Sequence, residues 1–319
     1  MTETRLDLPF TGIPTFLRSR LAPDLARLDA DIAVLGVPSD EGSPWKPGSR
    51  FGPRAIREQS VRFAGDGSGI FDPDEGRRFL AREMAGGRLV DCGDVDVVYT
   101  NREETFARVT RSVRQIVARG ALPVVLGGDH GISYPVVRAW RQPLTVVQFD
   151  AHLDVKPPTP DLRYSNGTPF FLIAELPNVA AIVQIGIRSL RTRQEDLDAA
   201  RRRGNLVRTV RQYRREGIAA ILAQIPPERD VYLSIDIDVL DLPLVPGCAS
   251  GEPGGFTFDE LRQAIFALAQ HAPIVGLDLV EINPMLDVAS GATALLGAHL
   301  VIEALGRIVE HPARRRTSG

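Results

Sequence analysis

The chain has 319 residues, of which 44% are hydrophobic and 24% charged, and a net charge of −2. That balance is ordinary for a folded globular protein and leaves no basic footprint for nucleic acid or for an anionic membrane surface. Cys92 and Cys248 make no disulfide framework, no apolar stretch is long enough to span a bilayer, and the first residues lack the apolar core of a secretory leader, so a reducing, cytoplasmic location is expected.

Taken in chain order, the pattern begins with an N-terminal arm over about residues 1–25. A first strand is predicted over 32–35, followed by the polar, Gly- and Asp-rich stretch 65–82, which reads as an excursion or a lid. A strand at 89–90 precedes the clearest helix, 103–119, where Phe106, Val109, Val113, Ile116 and Val117 share one face and Arg108, Arg111 and Arg114 the other. Glu103 and Glu104 suit the positive end of that helix, and Gly120 suits its stop. Strands over 122–126 and 145–149 follow, then a Pro-rich segment, 156–161, which suits a pocket wall. Strands over 181–187, 231–235 and 274–277 and helices over 258–269 and 293–310 complete the pattern, and a frayed tail at 312–319 carries Arg314-Arg315-Arg316. Strands that are apolar throughout are buried on both faces. The prediction is therefore α/β: a three-layer α/β/α sandwich with a mostly parallel sheet, the chain forming a single domain without linker or internal repeat. In such sheets sites form beyond the carboxyl ends of the strands.

Three stretches at those ends carry metal-type ligands. Gly127-Gly128-Asp129-His130-Gly131 follows the strand at 122–126, Asp150-Ala151-His152-Leu153-Asp154 follows 145–149, and Ser234-Ile235-Asp236-Ile237-Asp238 closes 231–235. Side chains two apart on a strand point the same way, so each stretch aims its donors at one spot. Each motif alone is compatible with a simple turn or a solvated polar loop. Together they bring His130, Asp150, His152, Asp154, Asp236 and Asp238 to one end of the sheet, and carboxylates packed so closely repel unless cations lie among them. The set is too oxygen-rich for a structural zinc site and suits a pair of ions such as Mn²⁺ bridged by carboxylates.

Further motifs accompany these ligands: Gly48-Ser49-Arg50-Phe51-Gly52-Pro53-Arg54-Ala55-Ile56-Arg57, Gly167-Thr168-Pro169-Phe170, Val183-Gln184-Ile185-Gly186-Ile187-Arg188-Ser189 and Asp278-Leu279-Val280-Glu281-Ile282-Asn283-Pro284. On these residues the chain resembles the ureohydrolases (arginase, agmatinase and their relatives) over almost its whole length. Gly12-Ile13-Pro14-Thr15-Phe16 resembles the agmatinase branch. The resemblance implies an arginase-like fold, a homotrimer or homohexamer, a small guanidino or amidine substrate and two Mn²⁺ per chain, with Ni²⁺ as the alternative. One ion would be held by His130, Asp150, Asp154 and Asp236, and the other by His152, Asp150, Asp236 and Asp238, with Asp150 and Asp236 bridging. The implied catalytic residues are Asp150, which helps hold a bridging hydroxide, Asp154, which relays a proton to the departing amine, and Glu281, which pairs with the cationic group of the substrate. A guanidinium carbon is a poor electrophile, because its charge is spread over three nitrogens, so such a nucleophile is what its hydrolysis requires.

The substrate side departs from the agmatinase pattern. Ser165-Asn166-Gly167-Thr168-Pro169-Phe170 stands where agmatinases read Ser-His-Gly-Thr-Pro-Phe, and Asn hydrogen-bonds but does not shuttle protons near neutral pH. Asp241-Leu242 and Pro246-Gly247-Cys248-Ala249-Ser250-Gly251-Glu252-Pro253 replace Asp-Pro and Pro-Gly-Thr-Gly-Thr-Pro, Val155-Lys156 replaces a run that often carries Thr, and Trp45 occupies the early loop. These departures put Trp45, Lys156, Asn166 and Cys248 beside Glu281 as expected substrate-binding residues. Lys156 suits a substrate carboxylate, as in the formimidoylglutamase branch, whereas Trp45 suits a compact cation. Formimidoylglutamate-like, guanidino-acid and guanidine substrates stay open. A catalytically dead relative would have lost a ligand, and none is lost. A deacetylase on a related fold would lack the third stretch, and a dinucleotide-binding protein would carry Gly-X-Gly-X-X-Gly after the first strand.

Overall fold

The computed structural model describes residues 8–315. Its strands are Arg20–Leu21 (β1), Ile32–Val37 (β2), Ile70–Asp72 (β3), Arg77–Phe79 (β4), Leu89–Asp94 (β5), Leu122–Gly127 (β6), Leu144–Phe149 (β7), Val179–Ile187 (β8), Leu206–Thr209 (β9), Val231–Asp236 (β10) and Ile274–Val280 (β11). Its helices are Gly52–Ser60 (α1), Ala81–Ala85 (α2), Arg102–Ala118 (α3), Ser133–Val137 (α4), Pro169–Ala174 (α5), Gln194–Arg202 (α6), Val210–Leu222 (α7), Phe258–His271 (α8), Ala292–Ile308 (α9) and Pro312–Arg315 (α10).

Nine strands form one parallel sheet in the order β1-β5-β2-β6-β11-β10-β7-β8-β9. Its central strands β2, β6, β10 and β7 are buried on both faces, as their Val, Ile and Leu content requires. Alternate residues feed two cores. Val34 and Leu126 pack with Leu261 and Ile265 of α8 and Val301 and Leu305 of α9, whereas Leu35 and Val125 pack with Phe106, Val109, Val113 and Ile116 of α3. The predicted three-layer sandwich is thus observed.

The helix boundaries follow their caps. Asn101 accepts a hydrogen bond from the Glu104 amide at the start of α3, and Gly120, with φ +75°, follows its end. Thr257 and Glu260 form a reciprocal capping box on α8. β1, β9 and the β3–β4 hairpin are too short or too polar to show in the apolar pattern. That antiparallel hairpin occupies the stretch read as an excursion or lid. It docks on α9 through Phe79 over Gly306 and, just beyond that helix, through an Arg77–Glu310 ion pair, and none of its residues lines the cavity described below. Of the expected arm, residues 1–7 lie outside the described residues. Phe16 is fully buried, and its amide donates to Asp91 at 2.8 Å. Of the expected frayed tail, 312–315 form α10, and residues 316–319 lie outside the described residues.

The register positions the site. Leu126 of β6 is paired with Leu279 of β11, Val280 of β11 with Asp236 of β10, and Ile235 of β10 with Phe149 of β7. Four adjacent central strands therefore end level, and the residues just beyond their ends meet.

Candidate metal centre

Two of the ligand stretches leave their strands under tight backbone constraint. A Cβ on Gly128 would collide with the Ser39 carbonyl, so the turn to His130 needs glycine there. Asp129 of the same motif faces away from the cluster: it accepts hydrogen bonds from the Gly42 amide at 2.8 Å and the Gly131 amide at 2.9 Å, and pairs with Arg102 at 2.5 Å. Asp154 and Glu281 adopt left-handed backbone, with φ +51° and +65°. Non-glycine residues held there cost about 1–3 kcal/mol each and cluster where function needs a fixed side chain.

The six predicted ligands converge. His130 Nδ1 lies 3.0 Å from Asp150 Oδ2, 3.1 Å from Asp154 Oδ2 and 3.3 Å from Asp236 Oδ2. His152 Nδ1 lies 3.3 Å from Asp150 Oδ1 and 3.1 Å from Asp238 Oδ2. Asp150 is therefore common to two neighbouring donor groups, one oxygen toward each histidine. His130, Asp150, Asp236 and Asp238 are buried, and His152 and Asp154 border the cavity.

The electrostatics call for added positive charge. Burial opposes ionisation of Asp154, and repulsion from Asp150 adds to it, so its carboxyl titrates above the usual range. Asp236 is pushed up further, by burial and by the charges of Asp238 and Asp150. Burial also opposes the charge on Asp150, but contacts with His130 and His152 outweigh it and hold this carboxyl low. His152, although burial favours its neutral form, is pushed up to about 12 by Asp238 and Asp150. Two imidazoles do not neutralise four packed carboxylates, whereas two divalent cations do.

The donor set fits such ions at the level of single atoms. His130 Nδ1 is buried without a hydrogen-bond partner. Its Nε2 lies 3.0 Å from Ser234 Oγ, and that hydroxyl donates to Asp278 Oδ1 at 2.7 Å. With the Ser234 proton committed to Asp278, Nε2 carries the imidazole proton, and Nδ1 presents a lone pair to the cluster. Tyr232 holds the other Asp278 oxygen at 2.6 Å. Asp150 is oriented by Gln148 Nε2 at 2.6 Å, and Gln148 Oε1 in turn accepts from Gln184 at 2.5 Å. Ser250 Oγ donates to Asp238 Oδ2 at 2.8 Å.

A cavity of about 140 Å³ opens over this cluster, with Asp154, Asp236 and Glu281 among the residues that line it. It is small beside the several hundred Å³ of sites for drug-sized ligands. Glu281 accepts from the His130 amide at 2.9 Å and from Asn166 Nδ2 at 3.3 Å, and burial together with the nearby charge of Asp129 pushes its carboxyl up to about 8. Trp45, Lys156 and Asn166 line the cavity, Trp45 with 64% of its surface exposed. Cys248 is not among the lining residues. Its sulfur lies within 4.8 Å of carboxylate oxygens of Asp236 and Asp238, and burial with those two charges keeps the thiol protonated far above its usual range. Arg191 also lines the cavity and was not singled out in the sequence. Its Nη2 lies 2.7 Å from His152 Nε2, and its Nε and Nη2 hold Glu252 Oε1 at 3.1 and 3.0 Å. The signal available for it was its place two residues beyond the Gly186-Ile187-Arg188-Ser189 motif.

Comparison with known proteins places the whole chain in one family. The arginase family profile matches residues 30–306. The chain is 35% identical over 313 residues to a guanidinopropionase of Pseudomonas aeruginosa, covering 96% of this chain and 94% of that one. Among solved structures it is similar to proclavaminate amidino hydrolase of Streptomyces clavuligerus, with a TM-score of 0.82 and 30% identity over 94% of this chain and 98% of that one. It is also similar to formimidoylglutamase of Bacillus subtilis, with a TM-score of 0.83 and 26% identity over 97% of each chain.

Proposed function

The chain belongs to the arginase family and is an amidinohydrolase, a hydrolase of the C–N bonds of linear amidines, and we propose that it works with two divalent metal ions on a small guanidino or amidine compound. The observation that carries the two-ion reading is the convergence of two histidines and four aspartates, Asp150 facing both histidines, with a buried His130 Nδ1 left without a hydrogen-bond partner and pointed into the group. On this reading His130, Asp150, Asp154 and Asp236 hold one ion, and His152, Asp150, Asp236 and Asp238 hold the other. The oxygen-rich set favours Mn²⁺, with the imidazoles leaving Ni²⁺ acceptable. When bound, the ions supply Lewis acidity, which lowers the pKa of water to about 7.

The protein's own groups do the rest. Glu281, held by the His130 amide and Asn166, draws the cationic amidine carbon down onto the cluster. Asp154, fixed by its left-handed backbone at the edge of the cavity, passes a proton to the departing amine. Trp45 narrows the opening over a compact substrate. Asn166 in place of a histidine, and Lys156 beside it, favour a substrate other than agmatine: a guanidino acid or a small amidine. The relatives include enzymes named for guanidino acids, which supports that class. The free, buried cysteines and the lack, among the described residues, of a helix able to cross a membrane are in keeping with the cytoplasmic location we propose.

The test is product release from agmatine, 4-guanidinobutyrate, arginine, formiminoglutamate and guanidine by Mn²⁺- or Ni²⁺-loaded protein, with metal counted by mass spectrometry. Urea and two ions per chain are expected. One ion per chain or none in active protein sinks the two-metal reading, and formamide without urea redirects the substrate to a formimino compound. Asp236→Ala, which removes a shared ligand, is expected to abolish product release while far-ultraviolet circular dichroism stays native.

A further inference from the structure

Three buried amides stand side by side across one wing of the sheet. Gln148 of β7 pairs in register with Gln184 of β8, and Asn205 immediately precedes β9, which neighbours β8 at the sheet's edge. Gln148 and Gln184 are fully buried, and Asn205 is 9% exposed. A buried amide destabilises the fold unless both its donor and its acceptor are matched. Here each amide matches the next. Asn205 Nδ2 donates to Gln184 Oε1 at 3.0 Å, Gln184 Nε2 donates to Gln148 Oε1 at 2.5 Å, and Gln148 Nε2 donates to Asp150 Oδ2 at 2.6 Å.

Chemistry fixes the sense in which this ladder runs. A carboxylate and a backbone carbonyl only accept. Gln148 meets one of each, Asp150 and the His152 carbonyl at 3.3 Å, so its NH₂ edge faces the ligand stretch and its oxygen faces β8. Gln184 meets that oxygen and the Leu153 carbonyl at 2.8 Å, so its NH₂ edge also faces inward. Its own oxygen is left toward β9, where Asn205 supplies the donor. The innermost acceptors, Asp150 Oδ2 and the carbonyls of His152 and Leu153, all belong to the single stretch 150–154. The other Asp150 oxygen takes the His152 amide at 2.5 Å, so the carboxylate common to both donor groups is held at each of its oxygens.

We infer that Gln184 and Asn205 are positioning residues for the metal centre: set back behind Gln148, they lock its amide with the donor edge toward Asp150, and that edge holds the shared carboxylate and the backbone of 150–154 ready for the ions. This rests on the two-ion reading and extends the machinery of that site to the edge of the sheet. A Gln148 amide turned over would set oxygen against oxygen at Asp150 and NH₂ against NH₂ at Gln184. The intact ladder opposes that turn at both ends. Without the Gln184 amide, only the inner end opposes it. With an acceptor in place of the Asn205 donor, Gln184 is itself drawn round, and its oxygen then faces the Gln148 oxygen and the Leu153 carbonyl. Polarity is separable from volume at position 205, because aspartate keeps the shape of asparagine and reverses the contact, whereas alanine removes the contact and the volume together.

The test measures Mn²⁺ affinity of metal-stripped protein by competition with a chelator, for wild type, Q184M, N205D and N205A. Ions per chain are counted by mass spectrometry, and the melting temperature of each metal-free protein is recorded. The wild type is expected to take up two ions. Q184M is expected to lose about 10–100-fold in affinity, and N205D about tenfold, with N205A losing less than N205D. Wild-type affinity in either Q184M or N205D overturns the inference, even where its melting temperature falls. A greater loss in N205A than in N205D, the order that packing alone would produce, overturns it too. Should Q184M not fold, the comparison of N205D with N205A decides. A wild type that takes up one ion or none would instead overturn the two-ion reading itself.

Discussion

Ser234 decides which nitrogen of His130 is free to bind a cation, because its own proton is committed to Asp278. Ser234→Ala removes that relay while Tyr232 still donates to Asp278 at 2.6 Å. The expected outcome is a loss of ion affinity of about 10–100-fold, read by competition with a metal chelator. Unaltered affinity would mean that the tautomer is fixed by other means. Asn166 makes a 3.3 Å hydrogen bond to Glu281 where agmatinases place histidine. Asn166→His is expected to raise kcat/KM for agmatine relative to 4-guanidinobutyrate, and a constant ratio would make Asn166 a spectator. At this scale the six candidate ligands were legible in the sequence, since alternation along a strand is a local property. Arg191 and the Gln148–Gln184 relay were not, because their significance depends on partners 36 or more positions away.

Between strands, the site depends on short connections held rigid. Arg188 donates through Nη2 to the carbonyls of Asp238 and Glu252, both at 2.7 Å, and of Leu240 at 3.0 Å, so one guanidinium fixes the loop that follows Asp238. Helix α8 then begins at a capping box in which Glu260 also pairs with Arg214 at 2.8 Å. That pairing, ahead of the opposing effect of partial burial, lowers the Glu260 carboxyl from 4.5 to about 2. The folded state therefore binds this proton less readily than the unfolded chain, so the stabilisation is present above about pH 4.5 and is lost as pH falls toward 2. Glu260→Gln is expected to cost about 1 kcal/mol or less at neutral pH, given the partly exposed pair, with the difference from wild type vanishing near pH 2 in urea titrations. A difference that persists there would show that the charge is not its source. Thr257→Ala, which removes the other half of the box, is expected to cost about 1 kcal/mol.

Over the whole molecule, one sheet supplies every candidate ligand, which supports treating the chain as a single catalytic unit. Phe10 and Ile13, 83% and 90% exposed, leave apolar surface in the N-terminal segment that association would cover. A trimer or hexamer is the expected assembly, measured by sedimentation velocity across a range of concentrations. A species that stays at the monomer mass throughout would count against it.

The sequence by itself determined the sandwich and the metal-type donors, because burial on both strand faces and a two-residue period are local signals that survive without a partner. The three main helices were legible for the same reason, their apolar faces and caps ending within two residues of the observed bounds. That Asp150 lies in both donor groups was implied by the family resemblance, but its geometry follows from the register of β7, β10 and β11 rather than from any one strand. Tertiary structure alone decided that the polar stretch at 65–82 docks on α9 as a hairpin, that Cys248 packs beside Asp236 and Asp238 without lining the cavity, and that Arg191 lines it. Each of these is a meeting of segments remote in the chain.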